Sequence, residues 1–170
     1  MVPQEHIRDA AVRVAKSFEG LSGDPISPRF EEYLSVIAPG ETRHRAEEMS
    51  RMSGCALTVA AVWRAIGIDH PSLAPPYRDQ TAVNRLYELA RVSGALRSMY
   101  PGSLPQPGDC MWVGHGGSEH VYVVLEAREG LILGVDGGSG TMPVTRLSRS
   151  RSTSGRGSMS APAFLGVLSG

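Results

Sequence analysis

The chain has 170 residues, 41% of them hydrophobic, which suits a single soluble domain with a buried core. It carries 17 basic and 17 acidic residues, and this zero net charge argues against nucleic acid or an anionic membrane as a partner. No apolar run reaches the roughly 18 residues that a membrane span needs. The N-terminal segment lacks the features of a secretory signal. We therefore expect a protein made in the cytoplasm without a signal peptide.

The first half of the chain is predicted to be helical. Apolar residues at helical spacing predict amphipathic helices over residues 4–19 and 29–37. Residues 39–54 are polar and show only weak helical spacing. From Cys55 the sequence becomes apolar, which predicts a buried helix that begins near Cys55 and ends at Gly67. Asp79 is expected to cap a further helix.

The second half of the chain is predicted to be β-structure. Short β-prone runs are separated by glycine-containing turns, and "AREG" suggests a tight hairpin between two of them. The Ser/Arg/Gly-rich residues 148–162 are expected to form a mobile loop. Helices followed by an antiparallel sheet of about five strands indicate the α+β class. The predicted strands lie within residues 110–114, 120–127, 131–136, 141–147 and 163–168.

Cys55 is the first candidate for chemistry. An ordinary thiol has a pKa of about 8.5, and the N–H groups and positive dipole at a helix N-terminus would favour its thiolate. Ser53 and Gly54 precede it, and the small Gly54 would leave room for a substrate beside the sulfur. The alternative is that Cys55 only fills the core, since cysteine is among the residues most often buried.

A nucleophilic thiol needs a base, and His120 is the preferred candidate because it begins the run "HVYVVLE" after a glycine-rich turn. His115 and His44 are weaker candidates. If residues 120–127 and 130–136 form a hairpin, Asp136 lies opposite His120 and could orient its imidazole. The alternatives are an ordinary histidine at the end of a loop and an aspartate that only forms the turn "DGG".

Metal and phosphate sites are less favoured. Cys110, His115 and His120 are five residues apart, and Asp136 could join them, but this spacing matches no standard zinc pattern. Steps of five residues along a strand also alternate between its faces. The glycine-rich stretches are not followed by a helix, as phosphate-binding loops are. We expect neither a metal nor another cofactor.

The ordered set of motifs resembles the CHAP and NlpC-type amidohydrolases, which are papain-like cysteine peptidases and amidases. "SPRFEEYLSVI" and "GCALTVAAVWRAIGI" are similar to two helical stretches of compact bacterial and phage members, and "GDCMWVGHGGSEHVYVV" and "VDGG" are similar to the later motifs. The resemblance covers nearly the whole chain. It implies a papain-like fold in which residues 1–170 form a single catalytic domain.

The resemblance also implies the function and the site. Cys55 would be the nucleophile and its backbone N–H an oxyanion donor, with His120 as the base and Asp136 as the orienting acid. Gly54, Tyr122 and Gly138 stand where the family has other residues and would line the substrate cleft. The expected activity is cleavage of an amide bond in peptidoglycan peptide stems. The protein would then act as an effector, a toxin or a phage component, exported or injected with a delivery or immunity protein as its partner. Two alternatives remain: a deamidase or transacylase of proteins, and a catalytically silent binding domain.

Overall fold

The helical half of the protein contains four helices within the residues that the structure describes. The computed structural model describes residues 4–68, 82–92, 94, 96–97, 104–115, 118–129, 131–137, 145–150 and 155–159. The helices are α1 (Gln4–Ser17), α2 (Phe30–Ile37), α3 (Arg43–Ala65) and α4 (Ala82–Val92). The first two predicted helices are confirmed to within two residues at each end. Asp79 lies outside the described residues.

A single antiparallel sheet contains six strands within the described part of the chain, where the sequence predicted about five. Its spatial order is β1-β6-β2-β3-β4-β5, so the strand that follows β5 in sequence lies on the far side of β2. The strands are β1 (Leu96–Arg97), β2 (Cys110–His115), β3 (Ser118–Arg128), β4 (Leu131–Gly137), β5 (Thr145–Ser150) and β6 (Gly155–Met159). The α+β class is therefore confirmed.

The prediction of a loop over residues 148–162 is corrected by the structure. Residues 148–150 belong to β5, which pairs with β4, and residues 155–159 form β6, which pairs with β2. Side-chain composition misled the prediction, because the backbone groups of Ser, Arg and Gly can form a ladder once a neighbouring strand is available. The predicted strand over residues 163–168 lies outside the described residues.

Both faces of the central strands are buried. On one face, Cys110, Trp112, Val121, Val123 and Val135 join the buried side chains of α1, α2 and α3 in the main core. On the other face, a second cluster has between 0% and 2% exposure and consists of Met111, Tyr122, Val124 and Ile132. Among the described residues, the buried helix side chains pack against the first face.

The connection between β5 and β6 requires a strongly coiled sheet. Ser150 and Gly155 are five Cα–Cα steps apart, which span at most about 19 Å. Through the strand pairings, Ser150 is level with Ala127 of β3 and Gly155 is level with His120. In a flat sheet these ends would be about 19 Å apart across the strands and about 20 Å apart along them. Twist and coiling of the sheet therefore bring the two ends together.

Candidate functional site

The helix that carries Cys55 begins twelve residues earlier than predicted. α3 starts at Arg43, where the Thr42 side chain accepts a hydrogen bond from the backbone N–H of Arg45 at 3.3 Å. Arg43 also forms an ion pair with Glu47, one turn further along the helix. A capping threonine followed by good helix formers was the sequence signal that could have located this start.

The position of Cys55 inside α3 corrects two expectations. A backbone N–H in a helix interior donates to the carbonyl four residues earlier, so the N–H of Cys55 is not a free oxyanion donor in this conformation. The favourable effect of the helix dipole is confined to the first turn, which is here occupied by residues 43–46. In this structure, therefore, Cys55 has neither a free backbone N–H nor the stabilising effect of a helix N-terminus.

Cys55 lies within the main core, and its side chain is 6% exposed. Both cysteines are free. Burial is the main reason that the pKa of Cys110 is well above its usual range, and negative charge on Cys55 adds to the effect. Burial likewise raises the pKa of Tyr33, again with a smaller contribution from Cys55. Cys55, Tyr33 of α2 and Cys110 of β2 all belong to the same buried core.

The residue before Cys55 is packed tightly against the end of β4. A Cβ atom added to Gly137 would lie 2.6 Å from the carbonyl oxygen of Gly54 and 2.2 Å from Oγ1 of Thr58. The same Gly54 carbonyl accepts a hydrogen bond from Thr58 Oγ1 at 2.9 Å. Gly54 is therefore closed by packing against a strand, whereas the sequence predicted open space for a substrate.

His120 lies near the beginning of β3, opposite Val113 of β2. Its half-buried ring is 6.4 Å from that of Tyr122, measured between centroids, so these two side chains share one face of the strand. Val121, between them, lies in the main core with Cys55. Because side chains alternate along a strand, Cys55 and His120 lie on opposite faces of the sheet. The structure does not bring these two candidates together directly.

The predicted hairpin between β3 and β4 is confirmed, but its register differs from the one expected for Asp136. Val135 pairs with Val123, and the next residue, Asp136, pairs on its other side with Arg146 of β5. Continuing the ladder places the backbone of Asp136 level with Tyr122, two residues from the position of His120. Asp136 is therefore a diagonal neighbour of His120, whereas we expected a directly opposed pair.

The remaining predicted site residues do not form an open cleft in the described part of the structure. Tyr122 is 1% exposed and belongs to the second cluster, so it does not line an open cleft beside Cys55. Gly138 lies outside the described residues. His115 ends β2, where its backbone pairs with Ser118. Among the residues that the structure describes, no three His, Cys, Asp or Glu side chains are grouped closely enough to hold a metal ion.

A buried ion pair next to the site escaped the sequence analysis. Arg8 of α1 pairs with Asp109, whose side chain is 2% exposed and also accepts a hydrogen bond from the backbone N–H of Gln106 at 2.9 Å. Gly108 has a φ of 86°, and a Cβ atom there would lie 2.9 Å from the backbone of Arg8. The "PGD" turn therefore fastens α1 to the beginning of β2, and an arginine on a predicted helix gave no distinctive signal of it.

Comparison with models of known protein families, with curated proteins and with solved structures found no match. None of the described helices combines the length and the apolar character that crossing a membrane requires.

Proposed function

We propose that the protein is a cysteine amidase with a papain-like fold that cleaves an amide bond in the peptide stems of peptidoglycan. The observation that carries the proposal is the contact between Gly54 and Gly137. These glycines are the immediate neighbours of Cys55 and Asp136, which the motif order assigns as nucleophile and orienting acid. The fold thus places the two segments against each other, although they are about 80 residues apart in the chain.

The reaction would be an acyl transfer in two steps. The sulfur of the Cys55 thiolate attacks the amide carbonyl carbon, and the carbon–nitrogen bond breaks as His120 donates a proton to the leaving amine. His120 then removes a proton from water, which attacks the thioester, releases a carboxylate and regenerates the thiol. Asp136 would hold the imidazole in the tautomer that this exchange requires.

The mechanism requires the thiol and the imidazole to meet around the end of β3, because they lie on opposite faces of this strand. His120 is only two residues from Ser118, the first residue of β3, so the distance along the strand from the imidazole to the strand end is short. The proposal therefore includes a rearrangement of the first half of α3 that exposes Cys55 and frees its backbone N–H. A helix starting at Cys55 would then supply the oxyanion donor and the dipole that a reactive thiolate needs.

A second candidate function is a silent binding domain with the same fold. The observation that favours it is the burial of Cys55 in the middle of a continuous helix. Reactivity distinguishes the two candidates, since a nucleophilic thiol is alkylated rapidly by iodoacetamide at about pH 6–7, whereas a buried structural thiol is protected. A third candidate, deamidation or transacylation of a protein, uses the same residues with another acceptor.

The decisive experiment incubates purified peptidoglycan with the protein and analyses the released fragments by mass. We expect fragments that have gained one water, with new amino groups and no new reducing sugar ends. The Cys55→Ala variant should lose this activity and remain folded, whereas the control Cys110→Ala should retain it. Activity within threefold of wild type in Cys55→Ala would refute the nucleophile assignment.

Two further outcomes of the same experiment identify the competing functions. Reducing ends without new amines would refute amide cleavage, since they would indicate a glycosidase with a pair of carboxylates. If peptidoglycan of several chemotypes releases nothing and Cys55 resists alkylation, the silent domain is supported. If Cys55 is alkylated rapidly under the same conditions but peptidoglycan stays intact, the protein-modifying candidate is supported.

A further inference from the structure

The aromatic ring of Tyr122 lies beside the ring of the proposed base, His120. The two residues are two apart on β3, their ring centroids are 6.4 Å apart, and the ring planes are inclined by 37°. An imidazole beside such a ring loses rotational freedom, because one side of its space is occupied.

The ring of Tyr122 is itself held in place by the neighbouring strand. A Cβ atom added to Gly134 of β4 would lie 2.2 Å from Cδ2 and 2.8 Å from Cε2 of Tyr122. The ring therefore occupies the space that any larger residue at position 134 would need. Tyr122 is 1% exposed and is buried in the second cluster with Met111 and Val124, so its ring has little freedom to move.

We propose that Tyr122 is a positioning residue, which fixes the orientation of the His120 imidazole, whereas hydrogen bonds set its tautomer. This inference rests on the proposed function for its catalytic consequence, but the effect on the imidazole is independent of activity. A side chain with 1% exposure acts through the group that it contacts, and a role in substrate contact would require a more accessible ring. Holding a base in one orientation raises kcat without changing the affinity for substrate.

Proton NMR of the His120 ring tests the proposal in the wild-type protein. We expect nuclear Overhauser effects between the rings of His120 and Tyr122, with intensities that fit one orientation of the imidazole. Intensities that require several orientations, or no ring–ring effect, would overturn the inference. This measurement needs no variant and no activity, so it gives a result even if the protein is catalytically silent.

Matched variants then separate positioning from general stability. Tyr122→Met fills similar space without a ring, and we expect several orientations of the His120 ring and a kcat lowered about tenfold, with KM within twofold. Tyr122→Phe keeps the ring and should restore the single orientation and most of kcat. Val124→Ala also removes buried volume from the second cluster, and it should leave the His120 spectrum unchanged.

The remaining outcomes are also informative. A raised KM with unchanged kcat in Tyr122→Met would overturn the inference and identify Tyr122 as a substrate contact. An unchanged His120 spectrum in a folded Tyr122→Met protein would also overturn it. If the orientation of the His120 ring responds as expected but Cys55→Ala retains full peptidoglycan cleavage, the positioning role stands and the proposed function fails.

Discussion

The contact between α3 and the end of β4 makes a quantitative prediction for Gly137→Ala. The added Cβ atom would lie 2.2 Å from Thr58 Oγ1 and 2.6 Å from the Gly54 carbonyl oxygen. Atoms cannot remain so close, so either α3 or β4 must move. Overpacking of a closed core costs about 1–3 kcal/mol, and we expect the upper half of this range because one of the two contacts is with backbone.

A double-mutant cycle identifies the source of that cost. Thr58→Ala removes the nearer of the two contacting atoms, so combining it with Gly137→Ala should recover about 1 kcal/mol relative to the sum of the single variants. Thr58→Val keeps a methyl group in place of the hydroxyl and should recover nothing. Gly67→Ala serves as a control, because its cost comes from a φ of 88° with no atom within 4 Å and should add independently to Thr58→Ala.

The assay is urea unfolding followed by circular dichroism, with the free energies compared at constant slope. A Gly137→Ala protein within about 0.3 kcal/mol of wild type would refute the tight contact, since an error of this size is ordinary between independent sites. Equal coupling to Thr58→Ala and Thr58→Val would refute the role of the hydroxyl oxygen. An unperturbed Gly137→Ala protein would also remove the observation that carries the proposed function.

Two further predictions concern the groups around the site. Arg8→Met removes the ion pair with Asp109 and should destabilise the protein by about 3 kcal/mol in urea unfolding. This value is the lower end of the range for a broken buried pair, because the Arg8 side chain is 13% exposed. A loss of stability below about 0.5 kcal/mol would contradict a structural role for this pair. The pKa of Cys110 is raised in the folded state, so its thiol stays protonated there. The stabilisation that this protonated thiol provides is fully present below about pH 8.5, which is the pKa of the unfolded thiol. It is lost as the pH rises from there toward the pKa of the folded state. Cys110→Ala should therefore flatten the fall of unfolding free energy at alkaline pH by up to about 1.4 kcal/mol per pH unit, and identical pH profiles for the two proteins would contradict it.

The sequence by itself determined the α+β class and the central elements of the protein. The spacing of apolar residues located α1 and α2 because a helix with one buried face leaves a period of 3.6 residues in the chain. β-prone runs bounded by turn residues likewise located β2, β3 and β4. These are local signals, since they depend on neighbouring residues and on nothing distant in the chain.

Only the tertiary structure decided which side of the sheet each candidate residue occupies. Tyr122 and Val124 are as apolar as Val121 and Val123, so β3 shows no alternation that would reveal its helix-covered face. The hairpin register, with Val135 opposite Val123, likewise depends on a bulge between Val124 and Glu126. A shift of one residue would reverse every side chain, so the placement of His120 relative to Cys55 is a property of the packed sheet.

The start of α3 was decided in the same way. Residues 43–54 have weak apolar spacing, yet Ala46, Met49 and Ser50 are buried. α2 packs against α3, and the hydroxyl groups of Tyr33 in α2 and Ser50 in α3 form a hydrogen bond of 2.8 Å. Helical stability in a folded domain comes mainly from such packing, which a sequence pattern does not show. The consequence for function is direct, because packing that extends the helix through residues 43–54 moves its positive end twelve residues away from Cys55.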